Sequence, residues 1–334
     1  MRLALDAFGG DSAPEVEVEG ALRASEELDD CEIVLVGHEQ RLRKVAARHG
    51  GLPPSVTICH ASQAVEMDDS PVEAIRRKPD SSIAKAIELM AEGQVDAVVS
   101  AGNTGAVVAL AMLRLGLLEG MRRPGIAVAM PTVDGSRTLV IDCGANVKCK
   151  PQDLLDYGVM ASAYCRHVFH VSRPRVGLLN IGEEPIKGNE LVKAAHRLFE
   201  GSHLNYLGYA EGRDIFSGAA DVVVCEGFVG NVLLKVSEGL ADTIMSVMKE
   251  AIQRTLRRRI GAMLCRYAMK DVAARFDSSE FGGAPLLGVN GTCMICHGSS
   301  DSHAVAVALR VAADAAASRV NDHIVADLRA HCTT

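Results

Sequence analysis

Six segments of the sequence combine glycine with Asn, Ser, Thr or an acidic residue where an apolar run gives way to a helical pattern. Glycine lets a backbone approach a ligand closely, and the helix that follows offers free N–H groups and a partial positive charge. Each such loop taken singly is more often only a turn, but six in one chain favour a crevice that binds an anion, with phosphate as the natural candidate. The segments are residues 5–11, 100–105, 142–146, 180–184, 225–231 and 297–300.

Cationic and titratable side chains stand close to these loops. Lys150, Lys187 and Lys235 each follow a glycine segment and could offset charge on phosphate or on a developing oxyanion, although a lone lysine is usually a solvated surface residue. His297 begins the last segment. It could protonate a leaving group, or it could be a structural histidine bonded to backbone.

Several other chemistries lack their signatures. The dinucleotide-binding G-x-G-x-x-G element, the P-loop and the G-x-S-x-G elbow are absent, so no nucleotide cofactor is expected. His167 and His170 lack an evident third ligand, and no metal is predicted. Cys293 and Cys296 precede His297 in the spacing of a c-type haem attachment site, but without an export signal we interpret them as cysteines of a buried strand.

Composition places the chain among α/β proteins that work inside the cell. Hydrophobic residues make up 48% of the 334 residues, aromatic residues only 4%, and there is no Trp. This composition suits helices packed on both faces of a buried parallel sheet. The net charge of −7 argues against nucleic acid as a partner. No leader or apolar span is evident, so a cytoplasmic location is expected, with the ten cysteines reduced.

Apolar runs alternate with helical patterns, which predicts parallel strands joined by crossover helices. We predict one α/β unit over residues 1–334, from which a helical excursion projects at residues 231–275. Helices are expected to begin after Ser12, at Asn103-Thr104 and at Pro151. The predicted strands are Leu3–Asp6, Glu32–Val36, Val56–Cys59, Ala97–Ser100, Gly125–Met130, Thr138–Asp142, Val176–Leu179, Val222–Cys225 and Cys293–Cys296.

Longer ordered motifs extend over nearly the whole chain. They are residues 6–14, 100–106, 144–151, 179–184, 186–189, 211–215, 227–231 and 282–291, the last leading to 297–300. Together these segments resemble the PlsX family of acyl-ACP:phosphate acyltransferases. The resemblance implies a three-layer α/β/α Rossmann-like sandwich, similar to isocitrate and isopropylmalate dehydrogenases and to phosphate acetyltransferases, in a homodimer.

The resemblance also implies the reaction. A fatty-acyl group would pass from acyl carrier protein to inorganic phosphate, and a membrane glycerol-3-phosphate acyltransferase would use the acyl phosphate to start phospholipid synthesis. Two alternatives stay open. One is a phosphate acyltransferase that uses acyl-CoA, and the other is a catalytically silent scaffold associated with the membrane.

Roles follow for the candidate site residues. His297 would protonate the leaving thiolate. Asp6 and Asp11 would orient the catalytic and phosphate-binding residues, or else cap the first helix. A covalent route through Cys143 or Cys225 is an alternative, but neither thiol has an obvious neighbouring base. We expect phosphate at Gly102, Asn103, Thr104 and Asn231 with Lys187 as cationic support, and oxyanion donors at Asn146 and Lys150.

The helical excursion has a basic amphipathic tip. Apolar residues fall at helical spacing on one face, and Gly261 predicts a bend. The tip could lie on an anionic membrane surface, giving peripheral association with the inner face, or dock the acidic carrier protein. It could also be a solvated helix with its apolar side against the core or a dimer mate. The candidate docking residues are Arg254, Arg257, Arg258, Arg259, Ile260, Met263 and Leu264.

Overall fold

The computed structural model describes residues 1–184, 186–276 and 282–332. In these ranges the strands are β1 (Arg2–Asp6), β2 (Glu32–Gly37), β3 (Val56–His60), β4 (Ala97–Ser100), β5 (Gly125–Pro131), β6 (Arg137–Ile141), β7 (Arg175–Leu179), β8 (Asn205–Ala210), β9 (Val222–Val224), β10 (Ala284–Leu287) and β11 (Thr292–Ile295). The helices are α1 (Glu15–Glu27), α2 (Glu39–Arg48), α3 (Pro71–Arg77), α4 (Ser82–Ala91), α5 (Thr104–Arg114), α6 (Pro151–His167), α7 (Glu190–Glu200), α8 (Asp214–Ser217), α9 (Gly227–Gln253), α10 (Leu256–Leu264), α11 (Arg266–Phe276), α12 (Ser302–Ala317) and α13 (Val320–Cys332).

One sheet joins the described strands in the order β3-β2-β1-β4-β11-β10-β5-β6-β9-β7-β8. The five strands at one side of the sheet are parallel to one another: β3, β2, β1, β4 and β11. The four strands at the other side are also parallel to one another: β6, β9, β7 and β8. Between them, β10 and β5 are antiparallel to both neighbours. The second group therefore runs in the opposite sense to the first, so the carboxyl ends of the two groups lie at opposite ends of the sheet.

Helices cover both faces of the sheet, as the composition predicts. On β1, Leu3 and Leu5 join the core beneath α1 and α12, whereas Ala4 faces the core that includes α4 and α5. On β6, Leu139 belongs to a third cluster with α6 and α13, and Val140 faces the opposite side. This alternation gives a three-layer α/β/α sandwich and confirms the predicted fold class.

The nine predicted strands are all present, with bounds that differ by one residue at most. Two further strands were not predicted. β8 mixes polar and aromatic residues at a half-exposed edge, and β10 is short and contains Pro285. The expectation of an all-parallel sheet is wrong, because β10 and β5 are each antiparallel to both neighbours. Pro151 and Asn103 begin helices as predicted, but Ser12 lies in a turn and α1 starts after Pro14.

The excursion begins with α9, which has 27 residues and is therefore about 40 Å long. Thr255 caps α10 by accepting a hydrogen bond from the backbone N–H of Arg258. Gly261 lies inside α10, so the predicted bend falls instead at Arg254–Thr255 and at Cys265. Among the described residues, no helix has the length and apolar character needed to span a membrane.

Candidate active site

Asp6 joins two glycine loops at the carboxyl end of β1. Its buried carboxylate accepts a hydrogen bond of 2.7 Å from Ser100 Oγ, which in turn accepts one of 3.1 Å from the backbone N–H of Gly102. Gly9 packs so closely that a Cβ on it would lie 2.7 Å from the Gly102 nitrogen. Burial raises the pKa of Asp6 above its usual range. The side chain of Asp6 therefore holds loops together and does not cap α1.

The loop that contains His297 joins the same assembly. The backbone N–H of Asp11 donates to the Gly298 carbonyl oxygen at 2.8 Å. A Cβ on Gly298 would lie 2.9 Å from Asp11 Oδ1, so this glycine packs directly against the carboxylate. Residues 5–11, 100–105 and 297–300 thus form one group, called here the first loop set.

Asn103 builds its loop with both side-chain atoms. Oδ1 accepts from the backbone N–H of Ala106 at 3.0 Å and caps α5, while Nδ2 donates to the carbonyl oxygens of Met67 and Asp69 at 2.9 and 3.0 Å. The helix begins at the exposed Thr104. An anion at this helix end would meet backbone N–H groups, which the Asn103 side chain positions.

His297 is paired with a lysine from a distant part of the chain. Its Nε2 lies 3.1 Å from Lys235 Nζ, and its Nδ1 lies 2.7 Å from Ser299 Oγ. Lys235 also pairs with Glu238 at 2.9 Å. An ammonium group only donates, so His297 Nε2 accepts the Lys235 hydrogen, and Nδ1 faces both the hydroxyl and the backbone N–H of Ser299. The sequence identifies both residues as candidates. They are 62 positions apart, however, and nothing in the sequence predicts that they are in contact.

Asp142 organises the loop at the opposite end of the sheet. The fully buried carboxylate accepts hydrogen bonds from the backbone N–H groups of Ile126, Ala145 and Asn146 at 2.8–3.0 Å. Burial raises its pKa, and these hydrogen bonds oppose that rise. Gly227, the first residue of α9, packs against it, since a Cβ there would lie 2.7 Å from Asp142 Oδ2.

Asn146 is buried within this loop. Its Nδ2 lies 2.6 Å from the Pro124 carbonyl oxygen, 2.9 Å from Tyr157 Oη and 3.1 Å from Asp142 Oδ2. An amide has two hydrogens, and these three neighbours occupy them. The geometry therefore favours a positioning role for Asn146 over the expected role of oxyanion donor.

Three further candidates lie with Asp142 and Asn146. Asn231 stands over Gly144, where a Cβ would be 3.5 Å from Asn231 Oδ1. Lys150 precedes α6, and its backbone N–H donates to Asp153 at 2.7 Å. The exposed Lys187 pairs with Glu184 at 3.1 Å. Residues 142–150, 180–184, 186–189 and 225–231 form the second loop set.

The structure does not bring all six glycine loops to one crevice within a single chain. Gly102, Asn103 and Thr104 belong to the first loop set, whereas Asn231 and Lys187 belong to the second. The reversal of strand direction at β10 and β5 separates them. α9 connects the two sets, because it starts against Asp142 and carries Lys235 to His297.

The cysteines and the histidine pair have structural surroundings. Cys143 and Cys225 are buried, and burial raises the pKa of both thiols, so neither is available as a thiolate nucleophile. Cys293 and Cys296 are buried as predicted, each with a pKa raised to about 12 by burial. His167 stacks on a histidine of α13. No cluster of metal-ligating side chains occurs in the ranges that the structure describes.

The fold and the His297–Lys235 pair together indicate an α/β enzyme that acts on an anionic substrate. Solved structures with the same fold include phosphotransacetylases. The EutD phosphotransacetylase from Staphylococcus aureus aligns with a TM-score of 0.62 and 16% identity over 95% of this chain and 94% of its own. A branched-chain phosphotransacylase from Enterococcus faecalis aligns with a TM-score of 0.55 and 15% identity over 94% of this chain and 98% of its own.

The family follows from the sequence comparisons. The family model described as fatty acid synthesis protein matches residues 1–323. A phosphate acyltransferase from Geotalea daltonii is 47% identical over 98% of this chain and 94% of its own length. One from Geobacter sulfurreducens is 46% identical over 100% of this chain and 96% of its own. The chain belongs to this phosphate acyltransferase family, which confirms the resemblance found in its motifs.

Proposed function

We propose that this protein transfers a fatty-acyl group from acyl carrier protein to inorganic phosphate and so makes acyl phosphate. A membrane glycerol-3-phosphate acyltransferase would then consume the product in phospholipid synthesis. One observation carries the proposal: in a member of the phosphate acyltransferase family, His297 and Lys235 meet beside glycine loops suited to phosphate.

The chemistry needs positioning and charge stabilisation more than a strong base. Phosphate monoanions have a pKa of roughly 6, so phosphate is largely dianionic at neutral pH and is already a nucleophile. One phosphate oxygen attacks the thioester carbonyl carbon, the C–S bond breaks, and the thiolate takes up a proton. The enzyme must hold phosphate beside the thioester and stabilise the tetrahedral oxyanion.

Groups of the first loop set meet these needs. The start of α5 offers phosphate the backbone N–H groups of Asn103 and Thr104, since that of Gly102 already donates to Ser100, and the Lys235 ammonium adds positive charge. Lys235 gives its hydrogen to His297 Nε2, the resulting imidazolium donates it to the thiolate, and Lys235 regains a proton from solvent. Lys150, Lys187 and Asn231 offer a second anion contact at the other end of the sheet.

Exposed apolar surface on α9 supports a homodimer. Val232, Val236, Leu240 and Ile244 recur every four residues and are 46–63% exposed. Such a stripe on one helix face is a surface that a second copy would cover. In α10 no residue is buried, so packing of its apolar side against the core of its own chain is excluded.

α10 also fits peripheral attachment to the inner face of the cytoplasmic membrane. Ile260, Met263 and Leu264 are exposed beside the arginines at 257–259. Apolar side chains next to arginines suit an interface with anionic lipid. Acyl carrier protein is the alternative partner of this surface, because its acidic helices would meet the same arginines.

Trapping of acyl phosphate as a hydroxamate tests the proposal. Product that requires both long-chain acyl carrier protein and inorganic phosphate is expected. Product from acyl-CoA but not from acyl carrier protein would assign the other donor, and no product from either would favour the scaffold. Lys235→Ala should abolish most of the product, whereas Lys249→Ala, an exposed lysine of the same helix, should not.

A further inference from the structure

A cleft of about 480 Å³ lies between α9 and the sheet. Its floor consists of Val128, Ala284 and Ile295, which come from the three adjacent strands β5, β10 and β11. Phe216 of α8 and Leu234 of α9 add apolar walls. This volume and apolar lining are typical of a site for a small, largely apolar ligand.

One face of α9 forms the long wall of the cleft. Leu234, Ser237, Ala241 and Asp242 line it, at spacings that place them on the same side of the helix. From Leu234 to Asp242 the helix rises about 12 Å. The cleft is therefore elongated along α9, as a linear ligand requires.

The polar groups of the proposed reaction stand at the mouth of the cleft. His297, Ser299 and Ser300 line it there, and Lys235 reaches His297 from α9. A substrate held with its reacting carbonyl at His297 would direct any apolar extension along α9. The cleft and the reaction centre are thus continuous.

Negative charge around the cleft makes it unsuitable for the anionic parts of the substrates. Glu238, Asp242 and Asp301 line it together with the apolar residues. Carboxylates repel phosphate and the phosphodiester of a carrier arm, but they do not repel a neutral hydrocarbon chain. The apolar floor favours the hydrocarbon in addition.

We propose that this cleft holds the fatty-acyl chain of the thioester donor and that Ala241 helps to set how long a chain it accepts. The inference rests on the proposed function and adds the site that determines which acyl-chain lengths the enzyme accepts. Each methylene that enters the cleft strengthens binding by about fourfold. A larger side chain at position 241 takes up that space without touching the mouth.

The test compares Ala241→Phe with Ala251→Phe, a control on the same helix outside the cleft lining. Acyl phosphate formation is measured with donors of six, ten and sixteen carbons. We expect kcat/KM of Ala241→Phe to fall by roughly tenfold or more for the longest donor and to stay within about twofold for the shortest. Ala251→Phe should keep the wild-type order of donors.

A photolabel makes the placement independent of turnover. Wild-type protein is irradiated with a ten-carbon acyl donor that carries a diazirine at the end of its chain. Label on residues 125–131, 234–242 or 284 is expected. Label elsewhere, or an Ala241→Phe profile that is lowered equally at every length or unchanged, would overturn the proposal. If no donor gives acyl phosphate with wild type, the proposed function fails instead.

Discussion

Glu17 is a carboxylic acid in the first turn of α1 that is only 1% exposed. Oε1 accepts a hydrogen bond of 3.2 Å from the backbone N–H of Gly10, whereas Oε2 is buried with no hydrogen-bond partner in the described structure. Burial is the main cause that raises the pKa of Glu17 to about 7 from an ordinary value of 4.5, and Asp6 and Glu15 add repulsion. We therefore predict that replacing Glu17 by Gln stabilises the protein at alkaline pH.

The size of the effect follows from the two pKa values. A difference of 7 against 4.5 corresponds to about 3 kcal/mol, at about 1.4 kcal/mol for each pH unit. Between these values the folded state keeps a proton that the unfolded state has released. The contribution of Glu17 to stability therefore falls as pH rises from 4.5 to 7, and the full cost is present above pH 7. Gln has no ionisation and keeps an acceptor for Gly10.

Urea unfolding followed by circular dichroism at pH 5, 6, 7 and 8 measures this difference. The advantage of Glu17→Gln over wild type should be about 1 kcal/mol at pH 5 and should grow to about 3 kcal/mol at pH 8. Glu26→Gln is the matched control, because Glu26 is an exposed glutamate of the same helix and is not among the groups that raise the pKa of Glu17. Parallel curves for wild type and Glu17→Gln, or a loss of stability at pH 8, would refute the reasoning.

Three further predictions concern the reaction and the surface. His297→Asn should lower kcat by roughly a hundredfold if the imidazole supplies the proton to the thiolate, and a change below about twofold in a steady-state assay would contradict that role. Cys143→Ala and Cys225→Ala should each retain most of the activity, because their thiols are buried and protonated; loss of activity in a soluble, folded variant would revive the covalent route. Reversal of Arg257–Arg259 to Glu should release the protein from anionic vesicles in a sedimentation assay, and unchanged sedimentation would exclude membrane binding through α10.

The local structure of the loops could be predicted from the sequence, whereas their mutual arrangement could not. Asn103 and Pro151 begin helices because capping and the fixed φ of proline act within a few residues. The positions of the loops in space depend on the order and direction of the strands, which long-range pairing decides. β10 has four residues and contains Pro285, so it gives no clear pattern of its own. The sequence shows β5 and β6 as strands but not that they pair antiparallel, and this pairing turns the second loop set to the opposite end of the sheet.

The same limit applies to the pairing at the candidate active site. His297 and Lys235 are each recognisable as possible catalytic groups, but their contact depends on the path of α9 across the sheet. The burial of the Asn146 amide among three acceptors is likewise a tertiary property. A sequence motif shows which residue types a site contains. Which of their hydrogen-bond donors remain available to a substrate depends on the tertiary fold.

α9 determines how these parts act together. Its first residue, Gly227, packs against Asp142 and the Asn146 backbone without room for a Cβ, so the start of the helix is fixed to the second loop set. Two turns later it supplies Lys235 to His297, and with Leu234 and Ala241 it forms one wall of the cleft. A rigid helix moves these groups as one body. Contacts made by its exposed stripe, with a second copy or through α10 with a membrane, would therefore reach the reaction centre and the acyl cleft together.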